Sequence, residues 1–414
     1  MSVLNYILKN EEASYDTLRL VASENLPGVR ERLPYMLDMF ARYSFDSGST
    51  WNYPTFYLDE IEEETCWRMC ELLNCRYVSL KPISGLNGML ATISAFTQIG
   101  DTVMSLHPND GGHLETSLIV KKMGLKSEFL PFNKDKWEID VEALKKDDHL
   151  ERVQMVYLDL CMVTFAQPVK ALREVLPKNT LLVYDASHVL GLILGSQFQR
   201  PFEEGADILI ANTHKTFPGP HKAIYATNRK LLKWQFDQNS GRFISHHHMA
   251  DVACLGLILE KYGKNEFQNY AKLIVKNAKQ LSTLLSDAGV HVQLKSLGFT
   301  DSHQIWIECG AKEDVDRIID LCSEAKIMIN GGLLPSLDGE WGIRIGVQEI
   351  TWNGIDKQGI QYLSELLSDI ILYHKAGVGI LEKKKQVLQH CMEQYRDRRV
   401  TQEIIRLLQT GEKR

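Results

Sequence analysis

The run Thr213-His214-Lys215-Thr216 comes directly after the apolar stretch Ile208-Leu209-Ile210. A lysine at the C-terminal edge of a parallel sheet lies where α/β proteins bind their ligands. An amine placed there can form an imine with an aldehyde-bearing cofactor once its surroundings depress its pKa. On its own, a lysine after a strand is ordinarily a solvated surface residue, so Lys215 takes its meaning from its companions. Asp185 closes the run Leu181-Leu182-Val183-Tyr184, and His188 follows it. An acid ending an apolar strand needs a cationic partner or a hydrogen bond. A protonated ring nitrogen would be such a partner, and capping the next helix is the alternative. Ser84-Gly85-Leu86-Asn87 stands between a strand-like and a helix-like stretch. Backbone N–H groups at such a helix start form an anion site suited to phosphate. Phosphate turn, acid and lysine, in that order and each near a strand end, can converge on one pocket.

The elements that would position these groups follow from periodicity. From about residue 58 helical patterns alternate with short apolar runs. Helices are expected over Leu58–Leu73 and Gly85–Thr97. Strands are expected over Arg76–Leu80, Thr102–Leu106, Glu128–Phe132, Gln154–Asp159, Leu181–Asp185, Ile208–Asn212 and Ala223–Thr227. Such alternation predicts a mainly parallel sheet covered on both faces. Beyond about residue 230 come helical patterns over Met249–Tyr262, Glu266–Ala288 and Lys312–Glu324, and another from near Asp356. Among them lie strand-like pieces at Val290–Leu294, Gln304–Glu308 and Gly342–Gly346. This reads as a smaller α+β domain. The expected layout is an N-terminal segment (1–30), a large domain (31–230), a small domain (231–374) and a charged helical tail (375–414).

The 414 residues are 44% hydrophobic and 24% charged, with a formal net charge of −6 and no long basic run. That excludes a nucleic-acid groove and an anionic membrane surface as leading readings. No eighteen-residue apolar stretch is present, so no transmembrane helix is expected. Lys9, Glu11 and Glu12 come too early for a signal peptide. The eight cysteines lack zinc-type pairing, and reduced thiols in a cytoplasmic protein are expected.

Five segments, met in order, resemble serine hydroxymethyltransferase and its relatives among the fold-type-I pyridoxal 5′-phosphate (PLP) enzymes. Leu20-Val21-Ala22-Ser23-Glu24-Asn25 is similar to that family's opening motif, and Gly111-Gly112-His113-Leu114 to its ring-stacking segment. Tyr184-Asp185-Ala186-Ser187-His188 is similar to its pyridine-binding strand. Thr213-His214-Lys215-Thr216 matches its Schiff-base motif, and Gly342-Ile343-Arg344-Ile345-Gly346 its carboxylate-binding strand. The resemblance covers about Leu18 to Leu367. It implies an aspartate-aminotransferase-like α/β fold: a seven-stranded, mostly parallel sheet in the large domain and a smaller α+β C-terminal domain. It further implies that Lys215 binds PLP covalently, within the Thr213-His214 motif, that Asp185 pairs with the pyridine nitrogen, and that His188 flanks the ring or its phenolic oxygen. His113 would cover the cofactor face and act in catalysis, and Ser84 and Gly85 would cradle the phosphate. Arg344 and Ser23 would bind the substrate carboxylate. Tyr43 and Tyr53 align with the family's two active-site tyrosines, which a neighbouring subunit supplies; Tyr43 would bind the cofactor and Tyr53 would bind substrate and act in catalysis, which implies a homodimer with shared active sites.

The folate half of the family's site is rewritten. Phe45 stands where the folate-dependent enzymes carry a glutamate, and Asp46 beside it is shorter and out of register. Tyr53-Pro54-Thr55 replaces a Gly-rich stretch. Pro108 takes the place of a leucine beside the pterin, and Phe217-Pro218-Gly219-Pro220-His221-Lys222 lacks the family's Arg-Gly-Gly. A proton-transfer group must lie within hydrogen-bond reach of its target, and phenylalanine cannot serve. The expected function is therefore a PLP enzyme that makes or breaks a Cα–Cβ bond of an amino acid, as an aldolase or transaldolase passing through a glycine quinonoid. Its substrates would be an amino acid and an aldehyde, without folate. Other readings are transamination, epimerisation, replacement or cyclisation chemistry, folate-dependent glycine hydroxymethyl transfer, and a non-catalytic PLP-binding protein. His246-His247-His248 resembles a metal cluster, but adjacent histidines cannot all face one ion from a regular element, and no metal is expected.

Overall fold

A computed structural model describes residues 2–44, 56–335, 340–391 and 406. Seven strands make the central sheet: β1 (Tyr77–Ser79), β2 (Thr102–Ser105), β3 (Lys126–Phe129), β4 (Val153–Asp159), β5 (Leu181–Asp185), β6 (Ile208–Asn212) and β7 (Ala223–Thr227). Their spatial order is β1-β7-β6-β5-β4-β2-β3. Only β7 runs against its neighbours, pairing antiparallel with β1 and β6. The predicted α/β architecture is therefore present.

The strands read as unbroken apolar runs because both faces are covered. Alternate residues of β5 and β6 go to different cores. Leu182, Tyr184, Leu209 and Ala211 join the core on one side, packed under Met69, Leu192, Leu255 and Phe267. Leu181, Val183, Ile208 and Ile210 face the other side, with Met89, Ile93 and Phe236. Val183 is fully buried, a burial worth about 1.5–3 kcal/mol. A smaller sheet carries β8 (Gln304–Gly310), β9 (Asn330–Leu333) and β10 (Trp341–Gly346), with β10 central. The N-terminal pair Leu18–Arg19 lies parallel to Ile327–Met328 and leads residues 20–25 against β10. There the Leu20 carbonyl accepts from the Gly346 N–H at 2.8 Å.

Two expected strands differ. Glu128–Phe132 is displaced to Lys126–Phe129, because Pro131 has no N–H to continue the ladder. Val290–Leu294 makes only one bridge, Val292 to Ile307, since Leu294 turns to φ +59° and leaves the extended region. Beyond residue 375 the described tail is the helix Val378–Gln389, and among the described residues no helix is long and apolar enough to cross a membrane.

Candidate active site

The C-terminal ends of β4, β5 and β6 lie side by side, with Asp159 opposite Asp185 and Asp185 opposite Ile210. They open on a cleft of about 360 Å³, lined by Lys215, Asp185, His188, His113 and Gly85, and also by Asp159, Cys161, Ser187 and Asn212. Five of the residues singled out in the sequence thus meet in one place.

Lys215 is turned into this cleft. Burial lowers its pKa; the charges of Cys161 and Asp185 oppose that shift, and Arg344 adds to it. Among the described residues no hydrogen bond or ion pair engages its Nζ, while its carbonyl accepts from Asn25 Nδ2 at 2.9 Å. The flanking residues of the motif brace the turn instead of lining the cleft. Thr213 Oγ1 lies 2.7 Å from the Pro220 carbonyl, and the His214 ring stacks on His221 at 4.1 Å. Thr216 Oγ1 donates to the His188 carbonyl at 2.8 Å.

Asp185 is not the cap of the next helix, whose N-cap is Val189. Its Oδ2 accepts from the Tyr157 hydroxyl and its Oδ1 from the Ser187 N–H, both at 2.9 Å. No cationic partner pairs with it among the described residues. A buried carboxylate held by neutral donors and facing a cleft is arranged for a cation that enters it. Ser84 caps its helix, with Oγ accepting from the Asn87 N–H at 3.2 Å, which leaves its O–H free to donate. Asn212 packs closely on Gly85: its Nδ2 would lie 2.3 Å from a Cβ at that position, so a larger residue would displace the Asn212 side chain. Asn212 Oδ1 in turn accepts from the Gly85 N–H at 2.7 Å.

His113 reaches the cleft on a loop held by Asp159. One carboxylate oxygen accepts from the His113 N–H at 3.1 Å and the other from the Leu106 N–H at 3.3 Å. Gly112 lets that loop close on β2, since a Cβ there would sit 2.2 Å from the Leu106 carbonyl. Burial lowers the pKa of His113, and of His188 much further. Arg344, on β10, reaches Asn330 Oδ1 at 3.1 Å and Met162 Sδ at 3.2 Å. Its Nε is buried without a partner, and among the described residues no carboxylate pairs with it. Ser23 stands in the turn after Ala22, whose Cα would lie 2.4 Å from a Cβ at Gly346, which sets Ser23 beside the Arg344 strand.

Other expectations fall elsewhere. Tyr43 is 49% exposed and stacks on His246 at 4.6 Å, and it does not line its own chain's cleft. Tyr53 and Phe45 lie outside the described residues. The three histidines diverge: His247 Nε2 pairs with Glu62 at 2.8 Å, and the His246 and His247 rings are 6.3 Å apart at 79°. Among the described residues no group of three His, Cys, Asp or Glu is placed to hold a metal ion. Sequence reasoning passed over Asp159, although it ends an apolar strand just as Asp185 does. It also passed over Asn212 and Cys161.

The family model for serine hydroxymethyltransferase matches residues 1–367. The chain belongs to the serine hydroxymethyltransferase family. It is 33% identical over 383 residues to the serine hydroxymethyltransferase of Archaeoglobus fulgidus, covering 90% of this chain and 87% of that one. The enzyme of the same name from Methanopyrus kandleri is 34% identical, with 90% and 89% covered. A crystal structure of L-threonine transaldolase from Pseudomonas fluorescens, in its internal aldimine state, superposes with a TM-score of 0.88 at 27% identity, covering 94% of this chain and 90% of that one. This family member is thus an enzyme with PLP as its cofactor, a transferase or lyase acting on amino acids. The cleft fits that group: it offers an unpaired amine, a carboxylate without a cation, and a helix start whose Leu86 N–H has no partner among the described residues.

Proposed function

We propose that this protein is a PLP-dependent, folate-independent enzyme that makes or breaks the Cα–Cβ bond of an amino acid and passes the fragment to or from an aldehyde. The observation that carries the reading is the division of the site. Lys215, Asp185, His188 and His113 converge on the cleft, with the carboxylate-free guanidinium of Arg344 nearby, while Phe45 and Pro108 stand at positions of the folate half. The similarity to a threonine transaldolase supports the same reading.

When bound, the cofactor supplies an electron sink for the pair left at Cα. The chain's residues do the rest. Lys215, whose pKa burial lowers, offers the amine for attachment and for moving a proton at Nζ. Asp185 holds negative charge where a ring nitrogen must stay protonated. Arg344 presents its fork to the substrate carboxylate, a bidentate fit, with Ser23 beside that strand. His113 covers one face, and Leu160 and Met89 narrow the wall against water. The test is product analysis: threonine and a second aldehyde, given to the holoenzyme without folate, should yield acetaldehyde and a new β-hydroxy amino acid. No exchange would sink the proposal.

The active unit is proposed to be a homodimer. Leu33, Met36, Leu37, Phe40, Phe56 and Tyr57 are all exposed and flank residues 45–55 in the chain, and exposed apolar side chains of this number suit an interface. Sedimentation equilibrium should report the mass of two 47.3 kDa chains; a single-chain mass at working concentrations contradicts it.

A further inference from the structure

Gln304 opens β8 with its side chain wholly buried. Its amide has four polar neighbours. Oε1 lies 3.1 Å from Trp306 Nε1 and 3.3 Å from the Val163 nitrogen, both of which can only donate. Nε2 lies 3.0 Å from the Cys161 carbonyl, which can only accept, and 3.2 Å from His188 Nδ1. The first three contacts orient the amide without reference to the histidine. Turned over, it would set NH₂ against two N–H donors and C=O against a carbonyl. Nε2 therefore donates, and His188 Nδ1 can only accept.

We propose that Gln304 is a positioning residue that holds His188 as the neutral tautomer with its proton on Nε2, presenting a fixed N–H donor to the cleft. His188 lines that cleft, and among the described residues its Nε2 has no partner. The surroundings agree. His303 stacks on the ring at 5.7 Å and 19°, and its own Nε2 faces the Ala22 carbonyl at 3.0 Å, so it too carries its proton there. Burial pushes His303 down to about 3. The charged groups facing His188 are Lys215 and Arg344, with His303 and His113 beside them, and all four oppose an imidazolium. The Asp185 carboxylate lines the same cleft but is engaged by Tyr157 and Ser187. A neutral ring with a fixed donor can hydrogen-bond a phenolate-type oxygen without giving up its proton. That use rests on the cofactor reading above; the tautomer does not.

The experiment is ¹⁵N NMR of histidine-labelled protein, with and without PLP, the His188 signals being identified by their loss in His188→Gln. In the wild type one nitrogen should be of protonated type, coupled as Nε2, and Nδ1 of unprotonated type, both unchanged across roughly pH 5–8. Gln304→Glu replaces the donor by an acceptor, so Nδ1 should shift to protonated type and the acid limb of the kcat–pH profile should move upward. Gln304→Met removes the donor and should leave a tautomer mixture; it serves as the reporter if the glutamate variant does not fold. A wild-type His188 protonated at Nδ1, or His188 signals unmoved in a folded Gln304 variant, overturns the proposal. Wild-type protein that never acquires the visible absorption of PLP overturns the functional reading instead, and leaves the tautomer result standing.

Discussion

Lys215→Ala should give a folded protein that holds no cofactor covalently and turns over no substrate. The side chain contributes little to the fold, since among the described residues its Nζ makes no hydrogen bond or ion pair, and the Asn25 contact is to the backbone carbonyl. Taking a poorly solvated amine out of the cleft removes a desolvation cost, so the melting temperature should hold or rise when both proteins are compared free of cofactor. Catalysis loses its attachment point and its proton-moving amine together. A loss of roughly 10³-fold or more in kcat/KM is expected, on the scale of other covalent catalysts stripped of their nucleophile. Three readings on one preparation check this: the visible absorption after dialysis, the mass of the borohydride-treated peptide containing position 215, and the thermal melt. A variant that keeps both the absorption and the peptide adduct would place the cofactor on another lysine.

Asp185→Asn tests the other pole of the cleft. Asparagine keeps the shape, but its single carbonyl oxygen can serve only one of the two donors that now meet the carboxylate. Ser187 N–H can only donate, so the oxygen must stay there, and the new NH₂ turns to the Tyr157 oxygen, which can reverse its role and accept. The local structure survives and the charge does not. Without that charge nothing in the cleft keeps a ring nitrogen protonated, and kcat should fall about 100-fold or more, close to 3 kcal/mol of barrier. Steady-state kinetics on PLP-saturated protein measure it. A kcat within a few-fold of wild type would mean that the Asp185 carboxylate is not the partner of the reacting ring.

The parts of the site legible in the sequence were those whose residue type and position along the chain carry the argument. Lys215, Asp185 and His188 follow apolar strands, and Gly85 opens a helix after one. His113 was recoverable only through the family motif. What stayed hidden depends on which strand lies next to which. Asp159 matters because β4 adjoins β5, and Asn212 because β6 brings it under Gly85; neither adjacency is written in the order of the chain. Gln304 is the extreme case, 116 residues from the histidine it meets. Thr213, His214 and Ser84 carry a second duty that the motifs do not show. Their side chains brace a turn, stack on His221 and cap a helix. In the fold, Pro131 could have warned against the strand at Glu128–Phe132, whereas the left-handed backbone of Leu294 carried no such signal.

On the function proposed above, the cofactor half of the family's site works here without the folate half. The direct measurement compares, on one holoenzyme preparation, the rate of aldehyde exchange from threonine with the rate of serine turnover, each with and without tetrahydrofolate. Exchange should proceed equally well in either condition, and tetrahydrofolate should not accelerate serine turnover. Serine turnover that depends on tetrahydrofolate, alongside negligible exchange from threonine, would contradict the proposed function.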